Sequence, residues 1–161
     1  MRFLYVRFAL RIASPQVTAV ASLRQRWTTS CDKEGNMQNY KCFITIQNLT
    51  TQHLKLVKQD IPWGRFQEGP EKDLMPRTTK SAFVASGNDG PAGTEGTVCY
   101  QFGDDANKTM SIYFDIPTRP FSDNKVNVDT SDPNLAAVLS GFKGSGNVEV
   151  CTIRVVYAPP A

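Results

Sequence analysis

The chain has 161 residues, 40% hydrophobic and 20% charged, so its length fits one domain with a packed core and its composition excludes wholesale disorder. Its net charge of +3 comes from five arginines in the first thirty residues; once these are taken from the 18 basic residues, 13 face 15 acidic ones. A mildly acidic body lacks the positive surface that nucleic-acid binding requires, so we predict no nucleic-acid partner.

The amino-terminal arm, residues 1–35, is basic, and its sequence leaves several roles open. Arg7 and Arg11 interrupt its apolar run and lie four residues apart, on one side of a helix. The pattern is compatible with a targeting sequence, a membrane-surface helix, an interrupted secretory signal or a disordered tail. We predict a boundary after this arm, with residues 36–161 as the folded domain. No run approaches the roughly 20 apolar residues of a transmembrane helix.

Two runs with alternating apolar residues, 41–47 and 53–59, follow the arm. The period of two is typical of strands with one buried face, and the intervening NLTTQ supplies turn residues. We therefore expect these runs to pair as a first hairpin.

The middle of the chain predicts an apolar strand from Lys80, a wide glycine-rich turn over residues 87–96, and a second hairpin around GDDANK. Further on, Pro133–Leu139 offers one short helix, and residues 147–157 form the longest strand candidate. Many short strands punctuated by Gly and Pro predict an all-β, single-domain antiparallel β-sandwich with one short helix.

Catalytic groups are scarce. His53 is the single histidine, no nucleophile accompanies it, and its position beside a turn predicts a solvated side chain. The acids Asp104, Asp105, Asp129 and Asp132 lie at turns, where carboxylates ordinarily cap backbone amides, and their spacing matches no calcium loop. The glycine-rich turn lacks the lysine of a phosphate-binding loop. We predict no enzyme, no metal and no cofactor.

Four cysteines and two sequons leave the cellular location open. Cys42, Cys99 and Cys151 lie in strand-like runs, which favours buried thiols, whereas disulfides, with Cys31 tying the arm to the domain, are the alternative in a secreted protein. The sequons at Asn48 and Asn107 would be used only in a secretory pathway. Secretion and a cytosolic protein released later both remain open.

Four segments carry a family resemblance, in a fixed order from Tyr40 to Val156. They are Trp63-Gly64-Arg65, the glycine-rich SGNDGPAGTEGTV, the block SIYFDIP at Ser111–Pro117, and the closing SGFKGSGNVEVCTIRV. In these segments the chain resembles the aegerolysins, small proteins of the actinoporin-like sandwich group. It differs in keeping Trp63 as the one tryptophan of the body.

The resemblance implies peripheral binding to membrane lipids, typically in sphingolipid or sterol-rich membranes, often as the recognition half of a two-component pore whose partner is a larger pore-forming protein. In this view aromatic rings enter the interface, Glu95 of the glycine-rich loop contacts an ammonium or hydroxyl, and arginines meet phosphate. The alternatives are a secreted lectin-like or effector interaction protein without membrane activity and, last, a carboxylate hydrolase. The lipid-binding residues expected are Trp63, Arg65, Phe66, Glu95, Tyr113, Asp115, Arg119 and Phe121.

Overall fold

Alternation of buried and half-buried side chains runs along most strands of the protein. The structure, a computed structural model, describes residues 40–89, 91–118 and 123–158. In this part of the chain the regular structure is strand: β1 (Lys41–Asn48), β2 (Leu54–Trp63), β3 (Arg65–Glu68), β4 (Asp73–Leu74), β5 (Thr78–Ser86), β6 (Thr94–Phe102), β7 (Thr109–Ile116), β8 (Lys125–Thr130), β9 (Leu135–Ser140) and β10 (Val148–Tyr157).

These strands form two facing sheets, in the orders β3-β5-β1-β10-β9 and β4-β2-β6-β7-β8. Neighbours pair antiparallel except β1 and β10, which run parallel with Ile44 opposite Cys151. The all-β sandwich predicted from the sequence is confirmed. The inward faces of both sheets bury one hydrophobic core, whose largest fully buried side chains include Tyr100, Phe83, Phe114, Ile44 and Ile46.

The second predicted hairpin and the carboxy-terminal strand are confirmed. Strands β6 and β7 pair with Val98 opposite Ile112, and β10 buries Cys151, Ile153 and Val155.

Two local predictions are wrong. The first predicted hairpin does not form, because β1 lies in one sheet and β2 in the other. The turn between them therefore connects the two sheets. The predicted helix at Pro133–Leu139 is instead β9, which pairs antiparallel with β10. Its apolar positions at Leu135, Ala137 and Leu139 meet the core at a period of two, and this pairing outweighs the helix propensity of alanine and leucine.

The described cysteines, Cys42, Cys99 and Cys151, are free thiols. Cys42 and Cys151 are fully buried, and burial raises the pKa of Cys42 well above its ordinary value. Burial, with a smaller effect of the Glu149 charge, raises the pKa of Cys151 to about 11. Both thiols therefore stay neutral and pack as small apolar groups, as the buried-thiol interpretation predicts. Cys31 and the boundary at residues 35/36 lie outside the described residues.

The sandwich has two ends with different loops. Pairing of Lys41 with both Ser86 and Val148 brings the starts of β1 and β10 to the same end as the end of β5. The turn at Gly64, the β9–β10 connection and the strand ends that the β5–β6 and β7–β8 connections join also lie at this end, which we call the Trp63 pole. The turn from Leu49 to His53 and the β6–β7 turn lie at the other end, the distal pole. Within residues 40–89, 91–118 and 123–158, no helix is long and apolar enough to cross a bilayer.

Candidate functional site

Four side chains form a row across the outer face of the β2-β6-β7-β8 arrangement, at the Trp63 pole. Trp63 of β2 is paired with Glu95 of β6, Glu95 with Asp115 of β7, and Asp115 with Lys125 of β8. Glu95, Asp115 and Lys125 are each followed by a buried residue, Gly96, Ile116 and Val126, so the pleat turns these three side chains outward. Trp63 is itself exposed. We call Trp63, Glu95, Asp115 and Lys125 the outer row.

The two acids of the outer row lie directly opposite each other. Like charges at paired positions of adjacent strands destabilise a sheet. Partial burial, and next the Glu95 charge, raise the pKa of Asp115, whereas Lys125, at 4.0 Å, opposes this shift. With Lys125 as the one positive group of the row, the two acids leave a local excess of negative charge that a positive ligand would neutralise.

Tyr113 lies two residues before Asp115 in β7, on the same face of the strand, and supports the acid pair. Its hydroxyl donates a 3.0 Å hydrogen bond to Oε1 of Glu95, diagonally across the β6–β7 pair. Burial, and next this bond, raise the pKa of Tyr113 to about 12, so the phenol stays protonated and remains a donor. The bond fixes one oxygen of Glu95 and leaves its other oxygen available to a ligand.

The indole of Trp63 is 61% exposed, although it is the largest apolar side chain at this pole. The turn that follows depends on Gly64, whose φ of +91° is rarely adopted by other residues. A Cβ there would lie 2.5 Å from the carbonyl oxygen of Ser86 and 2.7 Å from Oγ1 of Thr94. The chain therefore crosses from one sheet to the other in close contact with its neighbours, and this contact holds Trp63 at the rim.

A shallow depression of about 240 Å³ lies between the indole and the two acids. Its wall is partly apolar and partly polar, which suits a small ligand with a positive group and a carbon skeleton. The lining residues are Trp63, Gly93, Thr94, Glu95, Asp115, Ile116, Pro117 and Thr118.

Two further predicted site residues lie at this pole, and one of them, Glu95, differs from expectation in its place. Glu95 is not in the glycine-rich loop but is the second residue of β6, because the strand already begins at Thr94. Arg65 begins β3, in the other sheet, and its Nη2 lies 3.3 Å from Oδ1 of Asp89 in the β5–β6 loop. Both lie at the Trp63 pole, and Arg65 stays exposed.

Phe66 is half-buried and packs against the core. Its ring makes edge contacts with Phe83 at 5.7 Å and with Phe114 at 6.4 Å between centroids. The inward position follows from the alternation of β3, since the preceding Arg65 faces out. We therefore leave Phe66 out of the proposed site. Arg119 and Phe121 lie outside the described residues.

Sequence reasoning missed Lys125 as a site residue. The signal was present: Val126 and Val128 alternate with polar residues in KVNVDT, which indicates a strand whose Lys125 faces outward. The length of the preceding connection hid the pairing of β8 with β7, and only that pairing brings Lys125 beside Asp115.

Three of the four acids predicted at turns, Asp104, Asp105 and Asp132, have structural partners at the distal pole, and so does the histidine. His53 Nδ1 lies 2.9 Å from Oδ1 of Asp73, so this histidine is paired and not merely solvated. Asp104 contacts Lys55 at 2.8 Å, and Asp105 accepts a bond from the backbone of Asn107.

Asp132 accepts bonds from Lys108 and from the backbone nitrogen of Asn134. These contacts agree with the capping role expected of acids at turns. In the part of the chain that the structure describes, no three His, Cys, Asp or Glu side chains group as metal ligands do.

Solved structures with the same fold include three that span most of this domain. The RahU protein in complex with TRIS is 14% identical, with a TM-score of 0.59 over 75% of this chain and 97% of that one. IP-1A from Alcaligenes faecalis is 21% identical, with a TM-score of 0.55 over 76% and 95%. The lipid binding protein Nakanori is 14% identical, with a TM-score of 0.52 over 74% and 71%.

Sequence comparison identifies the family. No curated protein matches the chain. Residues 39–158 match the sequence profile described as Aegerolysin, and this match covers the whole sandwich from before β1 to after β10. With the profile spanning both sheets and the outer row, the chain belongs to the aegerolysin family.

Proposed function

We propose that this aegerolysin is a peripheral membrane-lipid-binding protein whose outer row receives a lipid head group that carries an ammonium group. The observation that carries the proposal is the pair of opposed carboxylates, Glu95 and Asp115, beside the exposed indole of Trp63. An ammonium group between the two acids removes their repulsion, and the indole face adds a cation–π contact. Lys125, at the end of the row, is suited to the phosphate that follows the ammonium group in such head groups.

Membership of the family supports this function, and so does the lipid-binding protein Nakanori among the solved structures of the same fold. RahU was solved with TRIS, a small molecule with one ammonium group and several hydroxyls. The chemistry of the outer row fits the same class of ligand. We extend the proposal to sphingolipid in sterol-rich membranes, whose phosphocholine or phosphoethanolamine head groups carry both charges.

Vesicle sedimentation tests the head-group specificity. The full chain should sediment with vesicles of equimolar sphingomyelin and cholesterol and bind poorly to vesicles of phosphatidylglycerol, which lacks an ammonium group. Glu95→Gln and Asp115→Asn should each weaken sphingomyelin binding by about tenfold, the effect of losing one charge-assisted contact. Exposed Glu68 gives the matched control, Glu68→Gln, which should bind normally. Equal binding of all these variants contradicts the proposal.

The role in lysis is a second step of the same proposal. We expect this chain to act as the recognition component of a two-component cytolysin, with a larger pore-forming protein as partner. Sphingomyelin vesicles loaded with dye should stay intact with this chain alone and leak when the pore-forming protein is added. Leakage caused by the chain alone would contradict this division of roles.

A glycan-binding interaction protein is the second candidate, and one feature favours it. An exposed indole beside two carboxylates can also stack on a sugar ring and accept bonds from its hydroxyls. A glycan array separates the candidates: sugar binding that is lost in Trp63→Ala, together with absence of vesicle binding, would select the secreted lectin-like or effector role.

A further inference from the structure

The loop between β9 and β10, residues 141–147, presents an aromatic ring and a positive charge at the Trp63 pole. Its sequence GFKGSGN includes Phe142, which is 38% exposed, and the exposed Lys143. A Cβ on Gly144 would lie 3.7 Å from the Phe142 ring, so the ring rests on its own loop with its other face in solvent. The Phe142 ring therefore presents apolar surface to solvent and is not part of the hydrophobic core.

A buried carboxylate holds this loop. Glu149, fully buried, accepts a 3.0 Å bond at Oε2 from the backbone nitrogen of Lys143 and a 2.8 Å bond at Oε1 from Nδ2 of Asn124. Asn124, itself buried, also bonds the carbonyl oxygens of Gly144 and Gly146, at 3.0 Å each. Among the described residues no basic side chain pairs with Glu149. A buried charge held by neutral donors is costly, and here its bonds all order one loop and its neighbour.

Contacts connect this loop to the outer row. The backbone nitrogen of Lys41 bonds the carbonyl oxygen of Asn147 at 2.8 Å. The hydroxyl of the adjacent Tyr40 donates a 3.1 Å bond to the carbonyl oxygen of Thr118, which lines the depression beside Trp63. The loop and the outer row are therefore parts of one pole, carried by different sheets.

We propose that the 141–147 loop is a second membrane contact of this protein, in which Phe142 enters the bilayer interface and Lys143 meets lipid phosphate. Glu149 and Asn124 are its positioning residues. This inference rests on the proposed lipid function and adds to it a contact on the opposite sheet. With a single contact, the sandwich could pivot about that contact. Two separate contacts fix its orientation, with the Trp63 pole toward the bilayer. An aromatic ring for the interface and a cation for phosphate are the usual pair in such contacts.

Sedimentation of the full chain with vesicles of equimolar sphingomyelin and cholesterol tests the contact. Phe142→Ala should bind about tenfold more weakly, the effect of removing a half-exposed ring from the interface, with the melting temperature unchanged. The control is Leu49→Ala, which removes a similarly exposed apolar side chain (44%) at the distal pole and should bind normally.

Three outcomes decide the matter. Weaker binding of Phe142→Ala with normal binding of Leu49→Ala supports the inference. Normal binding of Phe142→Ala while Trp63→Ala is impaired overturns it and leaves the lipid function intact. If the unaltered chain binds none of the vesicles, the lipid function and this inference fail together.

Fluorescence tests the positioning role. In a chain with Trp27→Phe, Trp63→Phe and Phe142→Trp, the one remaining tryptophan reports on the loop at saturating lipid. Brominated lipid should quench it, and addition of Glu149→Gln should reduce that quenching, because the amide NH2 replaces one of the two accepting oxygens and meets a donor that it cannot accept from. In a second chain that keeps Trp63 and carries Trp27→Phe, Glu149→Gln should leave quenching of Trp63 unchanged. Equal quenching at position 142 with and without Glu149→Gln overturns the positioning role.

Discussion

The hydroxyl of Tyr113 donates a 3.0 Å hydrogen bond to Oε1 of Glu95, across the pair of strands that carries the two acids. This bond joins Tyr113 of β7 to Glu95 of β6 and fixes the orientation of the Glu95 side chain. It also gives the site a spectroscopic handle, since the pKa of Tyr113 is raised to about 12.

The pKa of Tyr113 should fall in Glu95→Gln. Burial is the first cause of the raised value and stays, but the bond to a charged acceptor and the charge itself are removed, so the pKa should move partway toward the ordinary 10.0. Carbon-13 NMR of ring-labelled tyrosine during an alkaline titration measures it. The same titration of Glu68→Gln should match the unaltered chain, and an unshifted Tyr113 in Glu95→Gln would contradict the contact.

Asp115→Asn should stabilise the fold at neutral pH while it weakens lipid binding. The pKa of Asp115 in the folded protein lies above its ordinary 3.8, so the folded state holds the proton more tightly than the unfolded state. The free energy of unfolding therefore falls as the pH rises from 3.8 through the raised pKa, and asparagine removes this loss. Urea unfolding at neutral and at acidic pH measures the difference, which should vanish when Asp115 is protonated. A less stable Asp115→Asn at neutral pH would show that the acid is structural.

The same shift predicts how binding depends on pH. Sphingomyelin binding should weaken as the pH falls through the raised pKa of Asp115, because protonation removes one of the two charges that attract the ammonium group. The decline should therefore begin above the pH range of an ordinary aspartate. Sedimentation across this range compares the unaltered chain with Asp115→Asn, whose binding should change less with pH. Identical pH profiles would contradict a role for the Asp115 charge.

Gly64→Ala should destabilise the protein by about 2 kcal/mol or more, because its Cβ would overlap the Ser86 carbonyl and the φ of +91° is strained for alanine. Lipid binding should fall as well, since the turn holds Trp63. Gly69→Ala is the matched control: a Cβ there meets no atom within 4 Å, and its effect on thermal unfolding should be small. Similar melting temperatures for both variants would contradict the crowded turn.

The two sequons should behave differently. Asn48 is fully buried. Its Nδ2 donates to the carbonyl oxygens of Gln52 and Leu74, and its Oδ1 accepts from the backbone nitrogen and the hydroxyl of Thr50. Asn48→Ala should therefore cost about 2–4 kcal/mol of unfolding free energy, whereas exposed Asn107 should tolerate alanine. On expression through a secretory pathway, mass spectrometry should find glycan at Asn107 and none at Asn48. Glycan at Asn48 on a folded chain would contradict its burial.

The sequence predicted those features that depend on neighbouring residues. Alternation placed Val98, Tyr100 and Ile112 inward and joined β6 to β7, because a short polar turn leaves such strands one way to pair. Pairing between distant residues was not predictable in this way. The parallel contact of β1 with β10 joins chain segments about a hundred residues apart, and it decides that β1 cannot form a hairpin with β2.

The arrangement of the candidate site was not predictable, because it also depends on pairing between distant residues. Trp63, Glu95 and Asp115 came from the family resemblance, which names residues without showing what they contact. Their order as a row, with Lys125 as its last member, follows from three strand pairings that no local pattern encodes. The packing of Phe66 against Phe83 was not predictable either, since an aromatic residue next to a rim turn has the same local sequence whether it faces lipid or core.

The fluorescence of Trp63 tests the central claim most directly. In the Trp27→Phe chain, Trp63 is the one tryptophan, and its exposed indole should emit at the long wavelength typical of water. On addition of vesicles of equimolar sphingomyelin and cholesterol, we predict a shift to shorter wavelength and quenching by brominated lipid, because the ring enters the interface. Unchanged emission from chains that sediment with these vesicles would contradict the account, since binding would then use another surface.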